Sequence, residues 1–339
     1  MRVCLLTRYF EFKGTGVTRI SGEIYHGLVK RGHSVHPIST KGTSLYSYFY
    51  YTLLEVPKKL PRKDIDVYHA LATLESMWLP KNRSIATFLD LFTTTNPERT
   101  GAGMGYNKWK LLVGRNYFKF GSRLASKCRF VTCISEKTKE DVMEYLRVPE
   151  EKIRVIRLGI SKRLNPTIKK DGVFRIGTLG QLDRRKRFDL LIRKFKESRF
   201  DGELVIAGQG MDGPMLKELA EGDKRIKFLG LVPDYELSDF YNSLDVFVFP
   251  TWIEGYGLPI VEAMACKKPV VVLSDAIIPQ EVMFRCIIVE NLDQVFGNQT
   301  YLDNLTQYID YDSNYKFAKE HSWDKCVEEY IKLYEEVIG

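Results

Sequence analysis

Two glutamates eight positions apart, Glu254 and Glu262, lie in the run EGYGLPIVEAMACKKPVVV at 254–272. Its first half, 254–259, is a Gly-rich turn in which backbone N–H groups approach a ligand without a Cβ in the way. Its second half, 260–266, reads as a short helix opening at Pro259, a residue favoured in the first helical position. A Gly-rich turn feeding a helix N-terminus suits a phosphate. Two carboxylates do not suit that same phosphate; they suit neutral hydroxyls beside it. Glu262, on the helix, is placed to grip a vicinal diol such as a ribose, and Glu254, on the turn, to touch a sugar ring. The segment therefore reads as a site for a nucleotide that carries a sugar, whereas the spacing in isolation would equally describe two solvated carboxylates.

The elements that must hold this segment alternate along the whole chain. Apolar runs at 2–7, 34–38, 66–70, 84–89 and 130–134 read as buried strands, and 18–30 has helical spacing up to Gly32. Ser135 opens SEKTKEDVMEYL as an N-cap. The second half repeats the pattern, with strands at 174–179, 204–207, 226–229, 246–249 and 270–273 and helices at 188–196 and 215–221. Strands alternating with helices predict parallel sheets. Polar residues, Pro166 and Gly172 mark a linker at 161–172, which divides the chain into domains 1–165 and 166–322. A last helix is expected at 323–337. Open parallel sheets meet ligands outside the carboxyl ends of their strands.

With 339 residues the chain suits two cores rather than one. It is 44% hydrophobic and 28% charged, an ordinary globular balance. No apolar run reaches the roughly 18 residues of a membrane span, and the start MRVCLLTRYF reads as a first strand rather than a signal peptide. Six scattered cysteines form no Cys-x2-Cys pair, so no zinc site is expected and a cytoplasmic location is. Residues 1–165 hold 29 Lys/Arg against 14 Asp/Glu, a net +15, and the remainder carries −7. That asymmetry predicts an anionic partner for the N-terminal half, either a membrane surface or a phosphorylated acceptor. No nucleic-acid recognition motif accompanies it. The stretch 106–127 interleaves Trp109, Tyr117, Phe118 and Phe120 with Lys108, Lys110, Arg115, Lys119, Arg123 and Lys127, which suits an interfacial helix, although Gly114 and Gly121 weaken it as one.

The run FVFPTWIEGYGLPIVEAMACKKPVVV at 247–272 resembles the donor-binding segment of retaining glycosyltransferases of the GT-B fold, family 4 (glycosyl transferases group 1) type. The resemblance implies an α/β fold of two Rossmann-like parallel-sheet domains facing a cleft, with the last helix returning to the first domain. It implies a donor site formed by Glu254, Gly255, Tyr256, Gly257, Leu258 and Glu262. GTLGQLDRRKRFDLLIRKF at 177–195 resembles the family's diphosphate-neutralising segment, with Lys186 as its lysine. Gln181 stands where the family has arginine; Arg184, Arg185 and Arg187 read as stand-ins or as solvated loop charges. LVIAGQGMDGPMLKEL at 204–219 resembles the strand and Gly-x-Gly loop beside the nucleotide, which assigns Gly208 and Gly210. Val232, with Tyr235 nearby, is assigned to the base, and Tyr241 and Phe240 to the core. Gly14-Thr15-Gly16-Val17 resembles the loop that lies against the donor, which assigns Gly16.

On the acceptor side IATFLDLF at 85–92 resembles a strand that ends in His-Asp in the family; here Leu89 replaces the histidine and Asp90 is kept. His69, at the end of DVYHA, is the candidate to face the cleft, so the expected catalytic set is Glu254, Lys186 and His69. The resemblance implies no metal and no cofactor. It implies a UDP-, GDP- or ADP-sugar donor and a sugar, glycan or lipid-linked acceptor, with work in the cytoplasm or on the inner face of the plasma membrane. Two alternatives stay open: a degenerate nucleotide-sugar-binding protein, and a GT-B epimerase or phosphorylase.

Overall fold

A computed structural model describes all residues except 11–15, 41–44, 101–107, 169–170, 298–303 and 305; the side chains of 45, 100 and 108–111 are also outside the described set. Gly14 and Thr15 of the expected donor loop, and Trp109 of the basic stretch, therefore lie outside the described residues or side chains. The chain forms two compact units, one of Met1–Gly159 with Trp323–Gly339 and the other of Ile160–Ser322.

The first unit is built on a six-stranded parallel sheet, β1 (Arg2–Leu6), β2 (Ser34–Ile38), β3 (Val67–Ala70), β4 (Ser84–Phe88), β5 (Phe130–Cys133) and β6 (Ile153–Val155), in the order β2-β1-β3-β4-β5-β6. β3, β4 and β5 are buried along their whole length, which is why they read as continuous apolar runs rather than alternating ones. Ser135 caps the helix Glu136–Leu146, its hydroxyl accepting from the Thr138 N–H at 3.1 Å. The helix Trp323–Ile338 belongs to this unit and packs on the helix Gly16–Lys30. The helix Lys108–Ala125 runs through both of its glycines. At Gly121 the missing side chain has a use: an added Cβ would collide with the Leu74 side chain on the turn Leu74–Ser76.

The second unit has its own six-stranded parallel sheet, β7 (Arg175–Leu179), β8 (Glu203–Ala207), β9 (Ile226–Gly230), β10 (Val246–Val248), β11 (Val270–Leu273) and β12 (Ile287–Val289), in the order β12-β11-β10-β7-β8-β9. The chain starts at β7, winds outward through β8 and β9, then returns to the far side of β7 with β10. The order thus reverses between β7 and β10, which pair directly. Ligands of open α/β sheets are met at such a reversal, outside the carboxyl ends of the two strands. The loops that leave β7 and β10 there carry Lys186 and Glu254.

Candidate functional site

After β7 the chain makes a short turn at Arg184–Lys186 and enters the helix Phe188–Glu197. After β10 it runs from Phe249 to Gly257 and enters the helix Leu258–Ala265, with Gly257 at φ +91°. The two loops are tied together by side chains. Lys186 Nζ donates to Glu254 Oε1 at 2.5 Å, Arg185 Nη1 donates to the same oxygen at 3.0 Å, and the Thr251 hydroxyl donates to it at 2.6 Å. Glu254 and Lys186 are both buried. All three donors converge on Oε1, so Oε2 accepts no bond among the described residues. Lys186 likewise finds no acceptor but Glu254 among them, and its ammonium lies 4.5 Å from the Phe249 ring centroid.

The electrostatics follow from that burial. Burial pushes the Lys186 ammonium down, helped by the neighbouring Arg185 charge and opposed by Glu254, to about 8. Burial works against the Glu254 carboxylate too, but the Lys186 and Arg185 charges and the Lys186 and Thr251 hydrogen bonds outweigh it and hold Glu254 below its ordinary value. Both groups are therefore charged at neutral pH. The site is a desolvated cation–carboxylate cluster with hydrogen-bonding capacity left on each partner. A cation so held can face a phosphate, and a carboxylate oxygen so held can accept from a hydroxyl.

Arg187 does something different. It sits in the left-handed region at φ +53°, and its guanidinium donates to the Pro250 and Thr251 carbonyl oxygens and to both oxygens of Asp275. It is buried and staples the loop after β10. The reading of Arg185 and Arg187 as solvated charges is corrected by their bonds: Arg187 satisfies two backbone carbonyls of the loop, and Arg185 donates to the buried Glu254 carboxylate. Arg184 and Gln181 are exposed.

Glu262 has other surroundings. It is buried on its helix, and Oε2 accepts from the Tyr241 hydroxyl at 2.8 Å. Tyr241 and Phe240 are interior residues of the helix Leu237–Ser243. The structure thus brings Lys186 and Glu254 together and gives Glu262 a phenol instead. The Tyr256 side chain is turned inward and its hydroxyl hydrogen-bonds His321, so it presents no ring to a ligand. Gly255 and Leu258 are half-buried on the same loop and helix start, and Val232 is half-buried just after β9. Gly16 opens its helix in the first unit.

The pair Gly208 and Gly210 has a structural use that sequence reading missed. A register shift between Ile206 and Ala207 precedes the last pair of the β8–β9 ladder, Ala207 with Gly230, and Gly208 follows at φ +130° with its N–H donating to Gly230 O at 2.7 Å. A Cβ at Gly208 would run into the Gly180 carbonyl oxygen, and one at Gly210 into the Leu182 carbonyl oxygen. Backbone bonds Gly180 N–H to Ala207 O and Leu182 N–H to Gln209 O, each at 3.0 Å, close the same contact. These glycines let the β8 loop press on the loop that carries Lys186.

His69 corrects the expected catalytic set. It lies in β3 with no exposed surface, one ring nitrogen bonded to the Tyr334 hydroxyl at 2.7 Å and the other to the Thr87 hydroxyl at 2.8 Å. Burial lowers it to about 3, so it stays neutral. Both nitrogens are used inside the first unit, where the returning helix Trp323–Ile338 supplies Tyr334. The signal that marks it as interior is that helix, whose inward stripe Cys326, Tyr330, Leu333, Tyr334 and Val337 is legible in the sequence.

Residues 173–293 match the family described as Glycosyl transferases group 1. The O-antigen chain mannosyltransferase B of Escherichia coli is 25% identical to the chain over 61% of this chain and 60% of its own length. An uncharacterized glycosyltransferase of Methanocaldococcus jannaschii is 30% identical over 61% and 60%. The matched part of the chain thus spans about 60% of the length of these curated relatives. HepE of Anabaena, solved in complex with UDP-glucose, aligns over 99% of this chain and 100% of its own with a TM-score of 0.73 at 15% identity, a likeness that carries the fold. The chain has the two-domain α/β GT-B fold, and its segment 173–293 carries the match to the group 1 glycosyl transferases.

Proposed function

We propose that the protein is a glycosyltransferase that moves a sugar from a nucleotide-diphosphate sugar to an acceptor hydroxyl. One observation carries this reading: Lys186 and Glu254 meet at the reversal of the second sheet, where a diphosphate and a sugar hydroxyl would find a buried cation and an unused carboxylate oxygen. The match of residues 173–293 supports the reaction class. HepE bound to UDP-glucose supports a UDP-sugar among the UDP-, GDP- and ADP-sugars, and the mannosyltransferase relative supports transfer of a hexose to a glycan, lipid-linked where the product is a surface polymer.

In this reading the anomeric carbon loses its bond to the leaving phosphate oxygen and gains one to the acceptor oxygen on the same face, with retention. The acceptor proton passes to the leaving diphosphate. Lys186, with Arg185 behind it, stabilises the charge that develops there, a task a fixed buried cation performs without reorganising. Glu254 holds Lys186 in place and accepts from a sugar hydroxyl, and Glu262 accepts from the ribose. No side-chain base is needed, which accommodates Leu89 and the interior position of His69. The net +15 of residues 1–165 favours an anionic acceptor or an anionic surface as the other partner. The six cysteines, all free and buried, support a reducing cytoplasm as the place of action.

The test is release of nucleoside diphosphate from a panel of UDP-, GDP- and ADP-sugars, with and without EDTA. Turnover that persists in EDTA supports the proposal with its metal-independent mechanism. Tight binding without turnover on any donor or acceptor supports a degenerate binding protein instead. Turnover lost in EDTA and restored by magnesium or manganese overturns the metal-independent part alone.

A further inference from the structure

The chain passes between its two units twice, at Gly159–Ile160 and at Ser322–Trp323. Both passages meet on His321. Its carbonyl oxygen accepts from the Ile160 N–H at 3.0 Å, and Ile160 pairs with Ser322 as an isolated parallel bridge. The imidazole of the same residue is buried in the second unit. Nδ1 lies 2.7 Å from the Phe317 carbonyl oxygen, and Nε2 meets the Tyr256 hydroxyl. A carbonyl oxygen only accepts, so Nδ1 carries a proton, and in the neutral ring Nε2 is left to accept from Tyr256. The Phe317 ring packs on the imidazole with centroids 4.7 Å apart, and the Arg285 guanidinium stacks on Phe317 at 4.1 Å. Phe317 belongs to the helix Tyr311–Lys319, which packs on the helix Leu258–Ala265 that the donor loop enters.

The other end of the Tyr256–His321 bond lies in the Gly-rich turn. Tyr256 is the one side chain between Gly255 and Gly257, and Gly257 stands at φ +91°. Glycines leave a turn free to take many shapes and lose more entropy than other residues when it is fixed, so such a turn needs a tether. Before the turn, Glu254 is held by Lys186, Arg185 and Thr251, and its N–H donates to Ile277 O at 2.9 Å. After it, Gly257 O accepts from the Ile260 and Val261 N–H groups at 2.9 and 3.4 Å. Between these two anchors the buried Tyr256 side chain is the tether. We infer that His321 is a positioning residue for the donor turn: acting through Tyr256, it sets where the Gly255–Gly257 backbone rests. A turn ordered beforehand spares a ligand the cost of ordering it. Because His321 also receives Ile160, the same residue ties the turn to both chain passages. The inference rests on the donor reading of the second unit.

The experiment compares the unaltered full chain with Tyr256→Phe, His321→Leu and the double variant, in two arms. The first arm needs no ligand: amide hydrogen exchange at Ile260 and Val261, whose N–H groups close on Gly257 O. Tyr256→Phe keeps the ring and removes one oxygen, so this arm can be read even where His321→Leu fails to fold. It should speed exchange at both amides by roughly fivefold, the loss of one neutral hydrogen bond. The second arm is calorimetric titration with UDP-glucose, GDP-mannose and ADP-glucose and with the matching nucleoside monophosphates. The sugar nucleotide that binds should bind roughly fivefold more weakly to Tyr256→Phe. The monophosphate, which lacks the distal phosphate and the sugar, should keep its affinity within about twofold. The double variant should match His321→Leu alone, since both remove the same bond. Unchanged exchange overturns the inference, because the turn is then held by other contacts. Equal weakening of monophosphate and sugar nucleotide also overturns it, since a general loosening of the unit would act on both. Additive losses in the double variant overturn the route through Tyr256. An unaltered chain that binds none of the three sugar nucleotides overturns the donor reading instead, and the exchange arm still decides whether His321 holds the turn.

Discussion

Lys186 and Glu254 come from loops 68 positions apart and share a hydrogen bond of 2.5 Å in the interior of the second unit. Neither would be stable there as a lone charge, since an uncompensated buried ion costs several kcal/mol. The pair therefore fixes two loops at the sheet reversal and delivers one cation and one carboxylate oxygen to the same place.

Loss of one partner exposes this dependence. Lys186→Ala leaves Glu254 buried with Arg185 and Thr251 and is expected to lower stability by about 3 kcal/mol, read from urea midpoints. Arg184→Ala, at an exposed position, should stay within about 0.5 kcal/mol. Turnover on the best donor should fall far more in the lysine variant than in the arginine one. Equal losses would move the diphosphate contact away from Lys186.

Glu262 makes a separable contribution. Glu262→Ala should weaken nucleotide-sugar binding by roughly 1–3 kcal/mol if a charge-assisted bond to the ribose is lost, and calorimetric titration measures it. Tyr241→Phe removes the hydrogen bond to Oε2 and leaves the Glu262 carboxylate in place, and it is the control. Donor affinity unchanged in Glu262→Ala confines the residue to a structural role beside Tyr241.

Glu75 gives the first unit a pH dependence. It follows β3 in the interior with both carboxyl oxygens within reach of the Tyr48 hydroxyl, at 2.9 and 3.0 Å. Arg8, Tyr51 and Tyr117 are the other titratable groups that it feels or influences. Burial is the leading cause that raises it from 4.5 to about 7. A raised acid binds its proton more tightly in the folded state. Its contribution to stability is thus complete below pH 4.5 and is lost as pH rises through about 7, on the order of 3 kcal/mol in all. Glu75→Gln, which imitates the protonated form, should flatten stability across that window. A urea-midpoint profile as steep as that of the unaltered chain would assign the slope to another group.

His69 acts in the opposite sense and lower on the pH scale. Its folded value of about 3 lies below the ordinary 6.5, so the unfolded chain takes up a proton that the folded chain refuses. The stability it contributes is present above pH 6.5 and is lost as pH falls toward 3, by about 5 kcal/mol at the limit. The imidazole resonance of the folded protein should therefore not titrate between about pH 5 and pH 7. A midpoint near 6.5 would mean that the ring reaches solvent.

Much of the scaffold was readable because its physics is local. β2 and β11 fall where their apolar runs predict, and Ser135 caps its helix as its type and position require. β6 and β12, three residues each, are too short to show a period and were not foreseen. The site was readable only in part. The donor-loop residues stand in a legible turn and helix, but no sequence rule tells that Lys186 and Arg185, of four neighbouring basic residues, are the two that reach Glu254. Nor does local pattern distinguish a histidine at a strand end that faces solvent from one that a distant helix covers. His69 was misread for that reason, since Tyr334 approaches it from 265 positions away.

The interlocked glycines bear on how kinship and activity separate. Gly208 and Gly210 are demanded by two backbones in contact, at Gly180 and Leu182, whatever the site above them does. A descendant that had ceased to turn over substrate would still need both to fold. Retrieving sequences by that glycine pair would collect working and silent descendants alike. The lysine and glutamate at positions 186 and 254 form the more informative sieve, because a lineage freed from chemistry could exchange that buried ion pair for apolar residues at no loss of stability.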